Sequence, residues 1–64
     1  MISRVNTLRG ERGWTQADLA AHVGVSRQTI NSIETGRFEP SLSLALKLAR
    51  LFEVPVEAVF ELPE

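Results

Sequence analysis

Between Thr15 and Gly36 the chain is punctuated so closely that it has room for only two short helices with almost nothing between them. Thr15 and Ser26 are N-cap residues, whose side-chain oxygens take up a free amide of a helix's first turn. Gly24 and Gly36 are stops, because a helix ends readily where glycine enters the left-handed backbone region without steric cost. Only Gly24, Val25 and Ser26 remain to reverse direction. Two helices joined by so short a turn cross steeply, so the first must be small where the second approaches. Ala20 supplies that small residue.

Each helix of the pair divides into two faces. In the first, Thr15 and Asp18 have the spacing of a capping box, with Asp in place of the usual Glu or Gln. Leu19, Ala20 and Val23 form its apolar side, while Gln16, Asp18 and His22 point away. In the second, about 27–35, Ile30 and Ile33 anchor one side; Arg27, Gln28, Asn31 and Ser32 fall together on the other. Two interpretations of that polar face stand side by side. It is an ordinary solvated face, or it is a surface for base edges. Arg binds guanine O6 and N7 bidentately, and Gln or Asn binds adenine N6 and N7 in the same way.

The remaining segments supply a body for this pair. Sixty-four residues make one domain, 1–64. A chain of this length buries only about 60% of the surface its unfolded form exposes. It has no cysteine, so neither a disulfide nor a thiolate-bound metal supports it. A first helix is expected from about 3 or 4 to 11 or 12, with Ser3 as N-cap, Val5 and Leu8 inward, Ile2 leading in and Gly13 as the stop. Gly10 falls inside its last turn without an evident reason. Trp14, in the connection, is expected to cover the core; stacking on a base is its alternative role.

After Pro40, Ser41 caps a fourth helix reaching about Phe52. Its apolar residues, from Leu42 to Phe52, span roughly 220° of the wheel, where a surface helix needs a stripe of little more than 100°. This helix is therefore expected to serve the core and a second surface together, with Leu44 and Leu51 on one margin. Pro55 opens a last short helix, 56 to about 60, in which Val56, Val59 and Phe60 face inward. Residues 1–3 and 60–62 are candidates for a small strand pairing.

Charge is polarised along the chain. Residues 1–37 carry five arginines against Glu11, Asp18 and Glu34, whereas residues 38–64 carry Lys47 and Arg50 against five glutamates. Binding answers to such local potential rather than to the net charge of −1, although a mixed solvent-facing surface explains the skew equally well. No stretch approaches the roughly 20 apolar residues of a membrane span, and the N-terminus lacks the apolar run of a signal peptide. A cytoplasmic location is expected. His22 alone makes neither a metal site nor a catalytic pair. Glu57 and Glu61 lack a partner base, so catalysis is not expected. No cofactor and no small-molecule effector is implied.

The stretch TQADLAAHVGVSRQTINSIETG, followed by PSLSLALKLARLFEV, resembles the Cro/C1-type (XRE) helix-turn-helix family. The resemblance covers about residues 4 to 60. It implies an all-α, compact five-helix lambda-repressor-like domain that binds double-stranded DNA sequence-specifically and regulates transcription, usually by repression. Arg27, Gln28 and Ser32 match base-reading positions, with Asn31 beside them. Gln16 matches a phosphate contact, and Ser26, Thr29 and Arg37 are further phosphate candidates. Arg9 and Glu34 match an internal ion pair between the first and third helices.

The chain departs from the family pattern at Glu53, where glycine is common, and at Pro55, where serine is usual. Short members of the family are often homodimers on palindromic operators, and the same is expected here. Leu44, Leu51, Phe60 and Leu62 are the candidate dimer contacts. The alternative is a protein-interaction role, as an antitoxin or regulatory subunit, through the apolar part of the fourth helix or the acidic C-terminal segment.

Overall fold

A computed structural model describes residues 1–64. The order of elements is β1 (Ile2–Ser3), α1 (Val5–Glu11), α2 (Gln16–Val23), α3 (Arg27–Glu34), α4 (Leu42–Phe52), α5 (Val56–Val59) and β2 (Phe60–Glu61). Five helices pack around one apolar cluster, and the two terminal strands close it at one end. None of the helices is long and apolar enough to cross a membrane.

The caps are those the residue types demand. Thr15 Oγ1 accepts from the Asp18 amide at 3.0 Å, and the Thr15 amide donates to Asp18 Oδ2 at 2.9 Å. This reciprocal box holds the Asp18 carboxyl below the usual carboxylate range, chiefly through the bond from the Thr15 amide and then through the Thr15 side chain. Ser26 and Ser41 cap α3 and α4 by accepting from the amides of Thr29 and Leu44. Gly24 ends α2 at φ 75°, so α3 starts after a single turn. Glu53 ends α4 at φ 60°, an uncommon conformation for a residue with a Cβ, at a cost of roughly 1–2 kcal/mol.

The start of α1 differs from the sequence expectation. Ser3 is not its N-cap; Arg4 occupies that position without a side-chain bond. Ser3 belongs instead to β1, which pairs antiparallel with β2 in the register Ile2–Glu61 and Ser3–Phe60. The pairing continues as the Arg4 amide donates to the Val59 carbonyl at 2.8 Å. Ile2, alternating outward on a strand, is largely exposed.

Leu19, Ile30, Ile33, Leu48, Val5 and Val59 are the fully enclosed side chains. Trp14 lies against this cluster, its ring 4.4 Å from that of His22 and 6.1 Å from that of Phe52, with the Arg12 guanidinium 5.5 Å away. The tryptophan thus covers the core, and His22, though exposed, is part of that cover.

Two of the expected dimer contacts are corrected by burial. Leu44 and Phe60 are each only 8% exposed and belong to the core of the single chain. Leu44 lies one turn from Leu48 on the inner side of α4, and Phe60 is the residue where α5 passes into β2. Leu51 is half-buried, and of the four only Leu62 is exposed. The outer apolar residues of α4 are Leu42 and Leu46, 73% and 51% exposed. Periodicity gave the width of the apolar arc, whereas the packing of α2 and α5 determines which part of it is covered.

Gly10 is exposed, and a Cβ built there meets nothing within 4 Å. Nothing in the packing calls for glycine, so Gly10→Ala should raise stability by about 0.5–1 kcal/mol through helix propensity and a less flexible unfolded chain. A urea unfolding curve checks this as a higher midpoint at unchanged slope; a lower midpoint contradicts the packing at Gly10.

Candidate nucleic-acid interface

The position of α3 is set by what holds its inner side. Ile30 and Ile33 are wholly buried. Glu34, at the end of the helix, turns inward and meets Arg9 of α1. Arg9 Nε donates to Glu34 Oε2 at 2.7 Å and Arg9 Nη2 donates to Oε1 at 3.2 Å, a two-pronged pair. The two side chains are only 17% and 6% exposed.

Two further Arg9 donors are used. Nη1 donates to the Trp14 carbonyl at 2.8 Å, and Nη2 donates to Asn6 Oδ1 at 2.9 Å. The bond to Glu34 raises the Arg9 pKa above its ordinary value in spite of burial. The ion pair inferred from family resemblance is therefore present, and four of the five guanidinium hydrogens are bonded.

The outer side of α3 presents Arg27, Gln28 and Asn31 exposed and Ser32 half-buried. They divide into two groups. Arg27 and Asn31 join Gln16 of α2: Arg27 Nη1 donates to Gln16 Oε1 at 3.3 Å, and Gln16 Nε2 donates to Asn31 Oδ1 at 3.2 Å. Gln16 Nε2 also donates to Glu34 Oε1 at 3.0 Å. The exposed network is thus continuous with the Arg9–Glu34 pair.

The second group surrounds a shallow depression of about 240 Å³ lined by Ser26, Gln28, Thr29, Ser32 and Phe38. Ser26 Oγ and Thr29 Oγ1 lie 2.9 Å apart, so one hydroxyl hydrogen of the pair is left for another acceptor. The Ser32 carbonyl accepts the amides of Arg37 and Phe38 at 3.0 and 3.2 Å, which folds the following loop back against α3. The Arg37 side chain is exposed there.

Sequence reasoning missed two participants. Phe38 is half exposed beside Gln28 and Ser32. Its signal was an aromatic residue in a polar loop with no core position assigned to it. Glu34 also does more than pair with Arg9, because one of its oxygens anchors Gln16. The Trp14 ring joins none of these contacts, and its partners are His22, Phe52 and Arg12. No three His, Cys, Asp or Glu side chains stand where they would hold a metal ion.

A small bundle with two packed helices, a short glycine turn between them and a polar outer face on the second is the arrangement that lays a helix against a duplex. The comparisons agree with that geometry. Residues 5–59 match the pattern of the helix-turn-helix family. An uncharacterized HTH-type transcriptional regulator of Methanocaldococcus jannaschii is 47% identical over 60 residues, covering 94% of this chain and 91% of its own length. The regulator YgzD of Bacillus subtilis, likewise uncharacterized, is 45% identical over 64 residues, covering 100% of this chain and 97% of its own. Among solved structures, the restriction-modification controller protein C.AhdI from Aeromonas hydrophila superposes with a TM-score of 0.80 at 32% identity, over 89% of this chain and 86% of the controller. The chain belongs to the Cro/C1-type helix-turn-helix family of DNA-binding transcriptional regulators. The family is one of regulators, not of enzymes.

Removing Glu34 takes the counter-charge from a largely enclosed guanidinium that keeps only its neutral acceptors on Trp14 and Asn6. Glu34→Ala should cost about 3–5 kcal/mol in urea unfolding. Asn6→Ala, which deletes only an exposed bond to the same guanidinium, should cost at most about 1 kcal/mol. Equal losses in the two variants would contradict the role of Glu34.

Proposed function

We propose that the protein is a sequence-specific transcriptional repressor that reads the major groove with α3. The observation that carries this is the division of α3 into two faces. Ile30, Ile33 and Glu34 are taken up by the body of the protein, while Arg27, Gln28 and Asn31 stay exposed. The fold needs no exposed polar group of that kind on α3, whereas base edges in the major groove require it. Arg27 and Gln28, at the start of the helix, take the leading base contacts, with Asn31 and Ser32 one turn on. The first turn of a recognition helix penetrates deepest.

Gln16, Ser26, Thr29 and Arg37 take the phosphate contacts that position α3. Such contacts hold register and orientation without reading sequence. Gln16 lies at the start of α2, where unpaired amides and the helix dipole favour an anion. The family supports the DNA-binding part of this assignment; the residue roles rest on placement and chemistry.

Two copies on a palindromic operator give the protein its selectivity. One α3 offers only a few side chains to bases, and half-sites about one helical turn, ~34–36 Å, apart double them. The longest dimension of the chain is 31 Å, so two copies fit side by side along one face of a duplex. Leu42, Leu46 and Leu62 are exposed apolar residues available to a second copy, in place of the buried Leu44 and Phe60. Two such bodies cover a promoter segment, and exclusion of other proteins from it is the simplest route to repression.

Selection of bound duplexes from a random pool tests this. The wild type should return a palindrome with half-site centres about 10 base pairs apart. The double variant Arg27→Ala/Gln28→Ala should keep its circular dichroism and its salt-sensitive weak binding but return no motif. An unchanged motif from that variant would refute the recognition-helix assignment.

A further inference from the structure

Phe38 is a large apolar side chain that the core does not account for. It is 50% exposed and is not among the partly buried residues packed against the core. Of the three phenylalanines it is the one on the surface, since Phe52 and Phe60 are buried. The other large apolar residues left exposed lie elsewhere: Leu42 and Leu46 on α4, Ile2 on β1 and Leu62 just after β2. Phe38 instead borders the outer face of α3, in the depression it shares with Ser26, Gln28, Thr29 and Ser32.

The backbone fixes the ring in that place. Gly36 turns the chain at φ 77°, in the left-handed region that glycine enters without steric cost. The Arg37 and Phe38 amides then both donate to the Ser32 carbonyl, at 3.0 and 3.2 Å. Pro40, with its φ locked by the ring, follows two residues on. Phe38 is therefore tied to the last turn of α3 rather than carried on a free loop.

With α3 in the major groove, the ring meets base edges, because the faces of paired bases are covered by stacking. On those edges N7, O6, O4 and the amino groups are polar, and a phenyl ring against them would take away water without replacing its hydrogen bonds. The C5-methyl group of thymine is the one apolar group displayed there. We infer that Phe38 is a specificity residue that reads the C5-methyl group of a pyrimidine and so selects thymine at one position of each half-site. Cytosine methylated at C5 carries the same group in the same place, so the contact also makes binding sensitive to cytosine methylation at that position. The inference rests on the proposed entry of α3 into the major groove, and it adds a base contact from outside α3.

The probe is the operator returned by random-pool selection, with each thymine of a half-site replaced in turn by deoxyuridine, which lacks only the methyl group. One such replacement should weaken wild-type binding roughly fourfold, about what burial of one methyl group contributes. Phe38→Ala should not distinguish thymine from deoxyuridine at that position. With cytosine placed there, methylation at C5 should strengthen wild-type binding by a similar factor and leave Phe38→Ala unchanged.

A wild type indifferent to deoxyuridine at every thymine overturns the inference. So does a thymine preference that Phe38→Ala keeps, because the methyl group is then read by another residue. Loss of helical circular dichroism in Phe38→Ala also overturns it, by making the ring a support of the fold. Failure of the groove assignment has a different signature: no motif from the wild type, or an unchanged motif from Arg27→Ala/Gln28→Ala. A motif lost in that double variant but indifferent to deoxyuridine in the wild type fails the Phe38 contact alone.

Discussion

The enclosed pair between Arg9 and Glu34 is the interaction on which the placement of the other parts depends. Arg9 lies on α1 and Glu34 ends α3. The same guanidinium holds the Trp14 carbonyl in the loop between α1 and α2, and the same carboxylate holds Gln16 at the start of α2. One ion pair thus reaches three helices and a connection. Apolar contact fixes how far apart helices stand, but it is non-directional and tolerates small rotations. A two-pronged guanidinium–carboxylate pair does not, because both bonds weaken together when either plane turns.

Buried ion pairs are a poor route to stability. Their desolvation offsets most of their attraction unless every remaining polar group is satisfied. Here that condition holds, since no buried side-chain nitrogen or oxygen lacks a partner. The pair therefore gives this small domain geometry more than free energy. Stability comes from Leu19, Ile30, Ile33, Leu48, Val5 and Val59, with N-caps at Thr15, Ser26 and Ser41 starting α2, α3 and α4. Base recognition demands placement at hydrogen-bond tolerance, and directional bonds are the suitable means of providing it to α3.

Local chemistry made much of this fold legible in advance. The capping box at Thr15 and Asp18, the left-handed Gly24, the Ser26 and Ser41 caps and the inward Ile30 and Ile33 each depend on a few neighbouring residues. The five helices followed from them, and the ends of the chain stood out only as candidates for pairing. What stayed hidden depends on partners distant in the chain. Ser3 has the chemistry of a cap, but pairing with Phe60 across the termini takes precedence. Leu44 and Leu46 are the same residue type two positions apart; one is core and the other surface because α2 and α5 approach only one side of α4. The polar face of α3 was visible as a set of residues. Its internal bonding was not, since Gln16 reaches Asn31 and Glu34 across the fold and no periodicity records such a bond.

The role of α3 depends on the groove it enters, and methylation interference by dimethyl sulfate measures that directly on the operator. The reagent marks guanine at N7, in the major groove, and adenine at N3, in the minor groove. If α3 carries the recognition, methyl groups at guanine N7 within each half-site should abolish binding, and those at adenine N3 within the same half-sites should leave it unchanged. Interference confined to adenine N3 would place the protein in the minor groove and contradict the role assigned to α3.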